Sequence, residues 1–258
     1  MGTFWGVLFA FATPQIDFPG GEQAVLIVLR WIHFVAGITW IGLLYFFNLV
    51  NMPFLRELDA QQRGLVIPKL MPRAMWWFRW SALVTVLAGF AYWNRIVAVD
   101  VQDAMAAGET ASAAHVVGSF LLIWTIAFVL EMGLLMSPAE VLRKSAVFGV
   151  IMAVVIFAAA YLFLALNEQG WESNRDLAIG IGGGIGWFML LNVWGVVWRM
   201  QKKIIRWTSE SARGNAMPPE AAKAARLAFL SARLNFWLSF PMLFFMGAAS
   251  HYIMFARR

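Results

Sequence analysis

The stretch that decides the fold is residues 24–50, AVLIVLRWIHFVAGITWIGLLYFFNLV. Its only charged side chain is Arg30. A helix of about 20 mostly apolar residues is long enough to cross the hydrocarbon core of a bilayer. Because backbone N–H and C=O groups in lipid must be bonded within the protein, such a stretch is helical. Residues 24–50 therefore predict a transmembrane helix.

The same kind of apolar stretch recurs along the rest of the chain. The predicted spans are residues 24–50, 78–98, 113–136, 146–166, 177–200 and 228–255. The composition agrees, since 61% of the residues are hydrophobic and only 13% are charged, against about 25% charged in soluble domains. The alternating pattern of barrel strands is not seen. The sequence predicts an all-α, polytopic transmembrane bundle of about six spans, forming one integral membrane domain over residues 1–258.

The charges outside the spans predict the orientation of the bundle. Segments 51–77, 137–145 and 199–227 carry 13 of the 20 Lys and Arg residues. The N-terminus, 99–112, 167–176 and the C-terminus carry eight of the 14 acids. The positive-inside rule therefore places the first group in the cytoplasm and both termini outside. The net charge of +6 then reflects topology, and no nucleic-acid partner is expected.

The segment 53–76 lies between the first two spans. It is expected to include a short cytoplasmic amphipathic helix that is broken near Pro68 and Pro72, because proline disrupts a helix interior. The alternative is a connector that lies on the membrane surface. Neither form assigns this segment a chemical role.

The chain has no cysteine. Disulfides, cysteine-ligated metals, iron–sulfur clusters and covalent c-type haem are therefore excluded from it. A metal or haem would have to be held by other side chains.

The only histidines are His33, His115 and His251. At 1.5 Å per residue, His33 lies ~14 Å below the outer boundary of its span. With the predicted orientation, His115 lies near the outer start of the third span and His251 in the final turns of the last. Neutral imidazole is a common ligand of haem iron, copper and zinc. The shared depth predicts a haem or other metal held by His33 and His251, with His115 as alternate ligand or proton group; structural or proton-relay histidines are the alternative.

Two neighbouring features bear on that site. Arg30 lies one turn outward from His33 and could pair with haem propionates, or its charge could extend to the interface. Gly183 lies in a glycine run of the fifth span at a similar depth. Glycine there permits close approach of a flat macrocycle, and it equally permits close helix packing.

A second set of polar residues lies toward the predicted cytoplasmic side. It comprises Asn48, Asn51, Arg79, Glu131, Asn192, Arg233 and Asn235. Ionisable residues within spans are functional candidates. Glu131 is expected to pair with Arg79 or Arg233 and join helices, or to pass protons or contact a quinol head group.

Two motifs carry a resemblance to a known family. Residues 30–51 read RWIHFVAGITWIGLLYFFNLVN, and PRAMWWFRW occupies residues 72–80. These motifs resemble the membrane domain of bacterial urate hydroxylases, in which a multi-helix membrane domain precedes a C-terminal cytochrome c. A looser likeness extends to copper-resistance D-type proteins and to membrane protoporphyrinogen oxidases. In the latter family a first-helix histidine is associated with haem b, which the resemblance would carry over to His33.

The chain departs from the urate hydroxylase pattern in one respect. It contains no Cys-X-X-Cys-His motif, so the fused cytochrome c of that family is missing from it. A separate cytochrome c or other redox subunit on the periplasmic side is therefore the expected partner, beside membrane lipids. The resemblance also implies a bacterial inner-membrane location.

The leading hypothesis is a membrane haem b subunit that passes electrons to a partner cytochrome or quinone, with His33, His251, His115, Arg30 and Gly183 at its site. Urate or another small reductant as direct substrate rests on the resemblance alone, and catalytic residues are not identified. The alternatives are a non-catalytic anchor of a larger respiratory or photosynthetic complex, and a transporter of metals or small solutes.

Overall fold

The computed structural model describes residues 19–255, apart from the side chains of Leu142 and Arg143. Within that range six helical segments are long and apolar enough to cross a membrane, and no strand occurs. They are Gly21–Glu57, Ala60–Ala106, Ala113–Met136, Ser145–Asn167, Asn174–Ser211 and Ala221–Ala248. The predicted all-α bundle of six spans is confirmed. The predicted outward position of both termini concerns residues outside the described range.

The α-helices are labelled in chain order. They are α1 Gly21–Tyr45, α2 Met52–Glu57, α3 Ala60–Ala106, α4 Ala113–Met136, α5 Ser145–Asn167, α6 Asn174–Asn192, α7 Trp198–Ser211 and α8 Ala221–Ala248. Two π-helical segments, Phe46–Asn51 and Val193–Val197, join α1 to α2 and α6 to α7 without a break. We call the end of the bundle that holds residues 107–112 and 168–173 the outer end, following the charge-based prediction, and the opposite end the inner end.

Helix α6 lies at the centre of the bundle, and α1 lies at its edge. Glycines allow neighbouring rings to reach the α6 backbone. A Cβ atom at Gly184 would overlap the indole of Trp124 on α4, and one at Gly180 would overlap the ring of Phe163 on α5. The glycine run of the fifth span therefore serves helix packing at these two positions.

Helix α3 differs from the prediction. It begins at Ala60 and continues through Pro68 and Pro72 to Ala106, so the expected break near the prolines is wrong. At 1.5 Å per residue its 47 residues span ~70 Å, more than twice the ~30 Å hydrocarbon core. A capping box starts the helix, in which Asp59 Oδ1 accepts from Gln62 N at 2.8 Å and Gln62 Oε1 accepts from Asp59 N at 2.9 Å.

Tertiary contacts keep α3 continuous past its prolines. A proline removes one backbone hydrogen bond from a helix interior, but neighbouring helices can hold such a helix in place. The inner part of α3 packs against α7. There an added Cβ at Gly64 would lie 2.7 Å from the Cβ of Ala212, which shows how closely the two segments approach.

The last span also ends earlier than predicted. Helix α8 ends at Ala248, and His251 lies in the turn that follows rather than in a helical turn. Asn174, at the start of α6, binds this turn. Its Oδ1 accepts from Met254 N at 2.7 Å and Phe255 N at 3.0 Å, and its Nδ2 donates to Tyr252 O at 2.8 Å. Because these bonds satisfy backbone groups outside the helix, the chain leaves the helical path.

Candidate functional site

A cavity of about 570 Å³ lies in the outer half of the bundle. This volume is within the usual range of small-molecule and cofactor pockets, ~300–1,000 Å³. Its walls come from α1, α3, α4, α6, α8 and the turn after α8. The lining residues include Arg30, His33, Gly37, Trp40, Tyr45, Thr85, Gly89, Trp93, Phe120, Gly182, Gly183, Gly186, Met242, Met246 and His251. Of the five residues predicted for the site, Arg30, His33, Gly183 and His251 line this one cavity.

The imidazole of His33 is fixed by a contact with α3. Its Nδ1 lies 2.7 Å from the carbonyl oxygen of Thr85. A carbonyl can only accept, so Nδ1 carries the proton and donates, and Nε2 keeps its lone pair. In a metal-ligating histidine, the ring nitrogen that does not bind the metal usually donates a hydrogen bond, often to a backbone carbonyl. His33 therefore has the tautomer that a ligand requires.

Gly89 makes this position of the His33 ring possible. A Cβ atom at residue 89 would lie 2.6 Å from His33 Nδ1 and 2.7 Å from Cε1, which is too close for any real side chain. Neither Thr85 nor Gly89 was identified from the sequence. A glycine within an otherwise apolar span is the signal that could have pointed to a close approach.

His251 and Arg30 lie at the outer part of the cavity wall. Both side chains are polar. Among the described residues no hydrogen bond to the His251 ring occurs, and Arg30 forms no ion pair. The guanidinium of Arg30 lies over Phe34, 5.8 Å from the ring centroid. Both side chains are thus available to a bound group.

Gly183 faces open space on the cavity side of α6. A Cβ there would make only ordinary contacts, the nearest at 3.5 Å to Met246 Cε. The neighbouring Gly184 faces Trp124 and permits packing. Gly184 therefore serves helix packing, whereas Gly183 lines the cavity.

The cavity opens sideways toward the surface that lipid would cover. Three apolar residues of its wall, Phe34, Ile38 and Leu243, are exposed. They belong to α1 and α8, so the opening lies between these two helices. A membrane-soluble molecule could reach the cavity without crossing the packed core.

The buried wall of the cavity holds one unsatisfied donor. Trp40 is 1% exposed, and its Nε1 has no hydrogen-bond partner among the described residues. Trp93, also buried, instead donates from Nε1 to Asp176 Oδ1 at 2.7 Å. A buried N–H group without a partner is costly, and Nε1 of Trp40 has almost no accessible surface, so it is enclosed behind the cavity wall.

His115 does not line the cavity. Its Nε2 lies 3.0 Å from the carbonyl oxygen of Leu166, so the ring donates across the contact between α4 and α5. Its backbone N–H meets the Ser112 hydroxyl at 3.3 Å, at the N-terminus of α4. His115 is thus near the level of the cavity but on a different side of the bundle.

The inner half of the bundle is packed around a buried carboxyl group. Glu131 is 0% exposed. Its Oε1 accepts from Asn192 Nδ2 at 3.0 Å and from Ser231 Oγ at 3.3 Å. Asn192 Nδ2 also lies 3.0 Å from Asn235 Oδ1. These hydrogen bonds join α4, α6 and α8.

The expected ion pair of Glu131 with Arg79 or Arg233 is wrong. The guanidinium of Arg79 lies 3.9 Å from the ring centroid of Trp198, and that of Arg233 lies over Phe236 at 5.5 Å. Among residues 19–255 neither forms an ion pair with a carboxylate. Aromatic faces hold both cations, and neutral side chains hold the carboxyl group. Ser231 was not identified from the sequence.

A second group of acids closes the outer end of the bundle. Asp100 Oδ2 accepts from Ser173 N at 2.9 Å. Glu172 Oε2 accepts from the N–H groups of Gln169 at 2.9 Å and Gly170 at 3.1 Å. Burial raises the pKa of the Glu172 carboxyl above its ordinary value, and the nearby charge of Asp100 adds to this. These acids hold the loop between α5 and α6.

The chain matches the model of the urate oxidase N-terminal family over residues 58–258. The match includes residues 72–80, which carry part of the resemblance to urate hydroxylase membrane domains, whereas the motif of residues 30–51 lies outside it. The looser likenesses to copper-resistance D-type proteins and membrane protoporphyrinogen oxidases receive no support. No curated protein and no solved structure matches the chain significantly. The six-span chain belongs to the urate oxidase N-terminal family, the family of urate hydroxylase membrane domains.

Proposed function

We propose that this protein is a membrane haem b subunit that transfers electrons to a partner redox protein or to quinone. The observation that carries the proposal is the placement of His33 and His251, from the two ends of the described chain, on the wall of one cavity. The Nδ1–Thr85 contact leaves His33 Nε2 free to bind iron. The donor set is that of a haem with two histidine ligands.

The residues of the cavity fit such a group in three further ways. Gly183 and Gly37 leave α6 and α1 without side chains at the wall, which suits a flat macrocycle. Arg30 supplies a positive charge for propionates at the outer part of the wall. Gly89 leaves room for the His33 ring to lie against α3 at the wall. When bound, haem would supply one-electron chemistry at a potential set by its ligands and burial.

The surroundings of the cavity favour two exchange routes for electrons. The sideways opening between α1 and α8 suits a lipid-soluble donor or acceptor such as a quinone. Arg30 and His251 lie toward the outer end, where a separate cytochrome c or similar subunit on the periplasmic side of a bacterial inner membrane would dock. Urate as a direct substrate has the support of the family match alone.

The test is the absorption spectrum of the purified full-length protein. We expect a Soret band that shifts on reduction with dithionite, and a pyridine haemochrome of the b type. The reduced form should then be reoxidised by a soluble quinone analogue or by ferricytochrome c.

Other outcomes would contradict the proposal in different ways. A colourless protein that co-purifies with a respiratory complex would indicate a non-catalytic anchor. A colourless protein that supports metal-dependent uptake in vesicles would indicate a transporter. Zinc or copper in place of haem at His33 and His251 would retain the site and change its chemistry.

A further inference from the structure

The inner half of the bundle contains a row of buried polar side chains on α8. Ser231, Asn235 and Ser239 follow each other at four-residue spacing, so they share one face of the helix. Each is 0% exposed. The row has the Glu131 carboxyl group at its inner end, where Ser231 Oγ lies 3.3 Å from Glu131 Oε1.

The other end of the row reaches the cavity. Ser239 Oγ lies 3.2 Å from the hydroxyl of Tyr45, and Tyr45 lines the cavity wall. Between the two ends, Asn235 Oδ1 accepts from Asn192 Nδ2, which also donates to Glu131. A strip of polar side chains therefore extends from the proposed haem cavity to a buried acid, with one helical turn of α8 separating Ser239 from Asn235.

Several oxygens along this strip have no hydrogen-bond partner among the described residues. They are Asn48 Oδ1, Glu131 Oε2 and Asn192 Oδ1. All are acceptors, and all belong to side chains that are at most 5% exposed. Buried acceptors without protein partners are normally satisfied by ordered water, and such water would let protons move along the strip.

The backbone beside the strip is also irregular. The π-helical segment Phe46–Asn51 follows Tyr45 directly, and the segment Val193–Val197 follows Asn192 directly. Single-turn π segments within α-helices occur frequently at functional sites. The two π segments are a feature of the backbone and are separate from the side-chain hydrogen bonds described above. They lie in the same region of the bundle.

Within residues 19–255 no ion pair of Glu131 is observed. On α8 the charged group at this level is Arg233, which lies over Phe236, and on α3 it is Arg79, which lies over Trp198. Helix α5 and the π segments carry no charged residue, and the charges of α6, Arg175 and Asp176, lie at its outer end. An ionised carboxylate in this surrounding is costly unless another charge balances it.

On these grounds we propose that Glu131 is the proton acceptor coupled to reduction of the cofactor in the cavity. This inference rests on the proposed function. In the oxidised state the positive charge of the bound cofactor would balance the Glu131 carboxylate. When one electron from a reductant such as dithionite or a quinol removes that charge, the carboxylate takes one proton from water, with hydroxide left in the solvent, and forms an O–H bond. Oxidation reverses both changes, so the net charge of the bundle interior stays constant.

The test is a redox titration of the haem bands at a series of pH values. In the wild type, the midpoint potential should fall as pH rises, because the reduced state holds the extra proton. Glu131→Gln should keep the Soret band and lose most of this pH dependence. Glu172→Gln, which removes a buried carboxyl group at the outer end, is the matched control and should retain it.

An infrared difference spectrum gives a second readout if Glu131→Gln fails to fold. Reduction of the wild type should produce the C=O band of a protonated carboxylic acid, and Glu131→Asp should shift that band. A haem protein whose potential is independent of pH, or keeps its pH dependence in Glu131→Gln, would overturn this inference and leave the proposed function intact. A protein without haem would overturn both.

Discussion

The outer and inner halves of the bundle are built largely from the same helices, yet one is hollow and the other is closed. In the outer half, α1, α3 and α6 present Gly37, Gly89 and Gly183 to the interior. In the inner half, the same helices and their π-helical continuations fill that space with Leu44 and Asn192, which are buried. The size of the side chains along each helix decides whether the bundle can hold a ligand.

The two halves also satisfy their polar groups differently. The inner half pairs Glu131 with neutral amide and hydroxyl groups. The outer half leaves His251, Arg30 and the Trp40 N–H without protein partners among the described residues. The inner half also contains buried acceptors without a protein partner, among them Glu131 Oε2 and Asn192 Oδ1. The two halves therefore differ in where such groups lie: Arg30 and His251 are exposed side chains on the cavity wall, whereas the inner acceptors are enclosed.

The largest expected effect among these substitutions is a difference in stability between variants of two adjacent glycines. Gly184→Ala should destabilise the bundle by ~1–3 kcal/mol, the usual cost of overpacking, because its Cβ would overlap the Trp124 ring. Gly183→Ala is the matched control, since its Cβ would meet only ordinary contacts. Thermal unfolding in detergent measures both. Equal destabilisation would show that the glycine run serves packing throughout.

Gly89→Ala should act on the cavity through His33. The added Cβ would displace the ring and break its bond to Thr85, at a cost of ~0.5–1.5 kcal/mol for the hydrogen bond, and haem occupancy should fall with it. Gly118→Ala is the control, because no atom lies within 4 Å of its added Cβ and Gly118 does not line the cavity. The haem-to-protein ratio after purification is the measurement. Normal occupancy in Gly89→Ala would mean that His33 does not need Thr85.

Arg30→Leu should weaken haem retention by ~0.2–1 kcal/mol, the usual strength of an ion pair of an exposed side chain. Arg30→Lys should restore part of this loss, because it keeps the charge but not the bidentate geometry. Transfer of haem to apomyoglobin, followed optically, compares the variants. If Arg30→Leu retains haem as the wild type does, Arg30 does not pair with propionates, and its side chain instead places its charge at the membrane interface.

The smallest expected effect is a pH dependence of stability at the outer loop. The pKa of Glu172 is raised in the folded protein, so folding favours the protonated form. Its contribution to stability is therefore full below the ordinary Glu pKa of ~4.3 and is lost as pH rises through the raised value. Thermal unfolding against pH should show this decline in the wild type and a flatter curve in Glu172→Gln. A decline of equal size in the variant would assign it to other acids.

The spans could be predicted from the sequence because apolar length alone defines them. Helix α4 begins and ends where the prediction placed it, at residues 113 and 136. The continuation of α3 through Pro68 and Pro72 could not be predicted, because it depends on packing against α7. The end of α8 depends on hydrogen bonds from Asn174, which is distant in the sequence.

The candidate site could be predicted only in part from the sequence, for a similar reason. Counting residues from the end of a span gives the depth of a side chain, and depth brought His33, His251, Arg30 and Gly183 to one level. Depth does not fix the direction in which a helix faces, so it could not separate His115, which bonds to Leu166 on another side. The roles of all five residues in binding a cofactor stay predictions.

The central claim is tested most directly by the haem content of His33→Ala and His115→Ala, purified in parallel with the wild type. The account predicts that His33→Ala loses the Soret band while His115→Ala keeps the wild-type haem-to-protein ratio and dithionite shift. A haem band that survives in His33→Ala and disappears in His115→Ala would contradict the assignment of the cavity as the cofactor site.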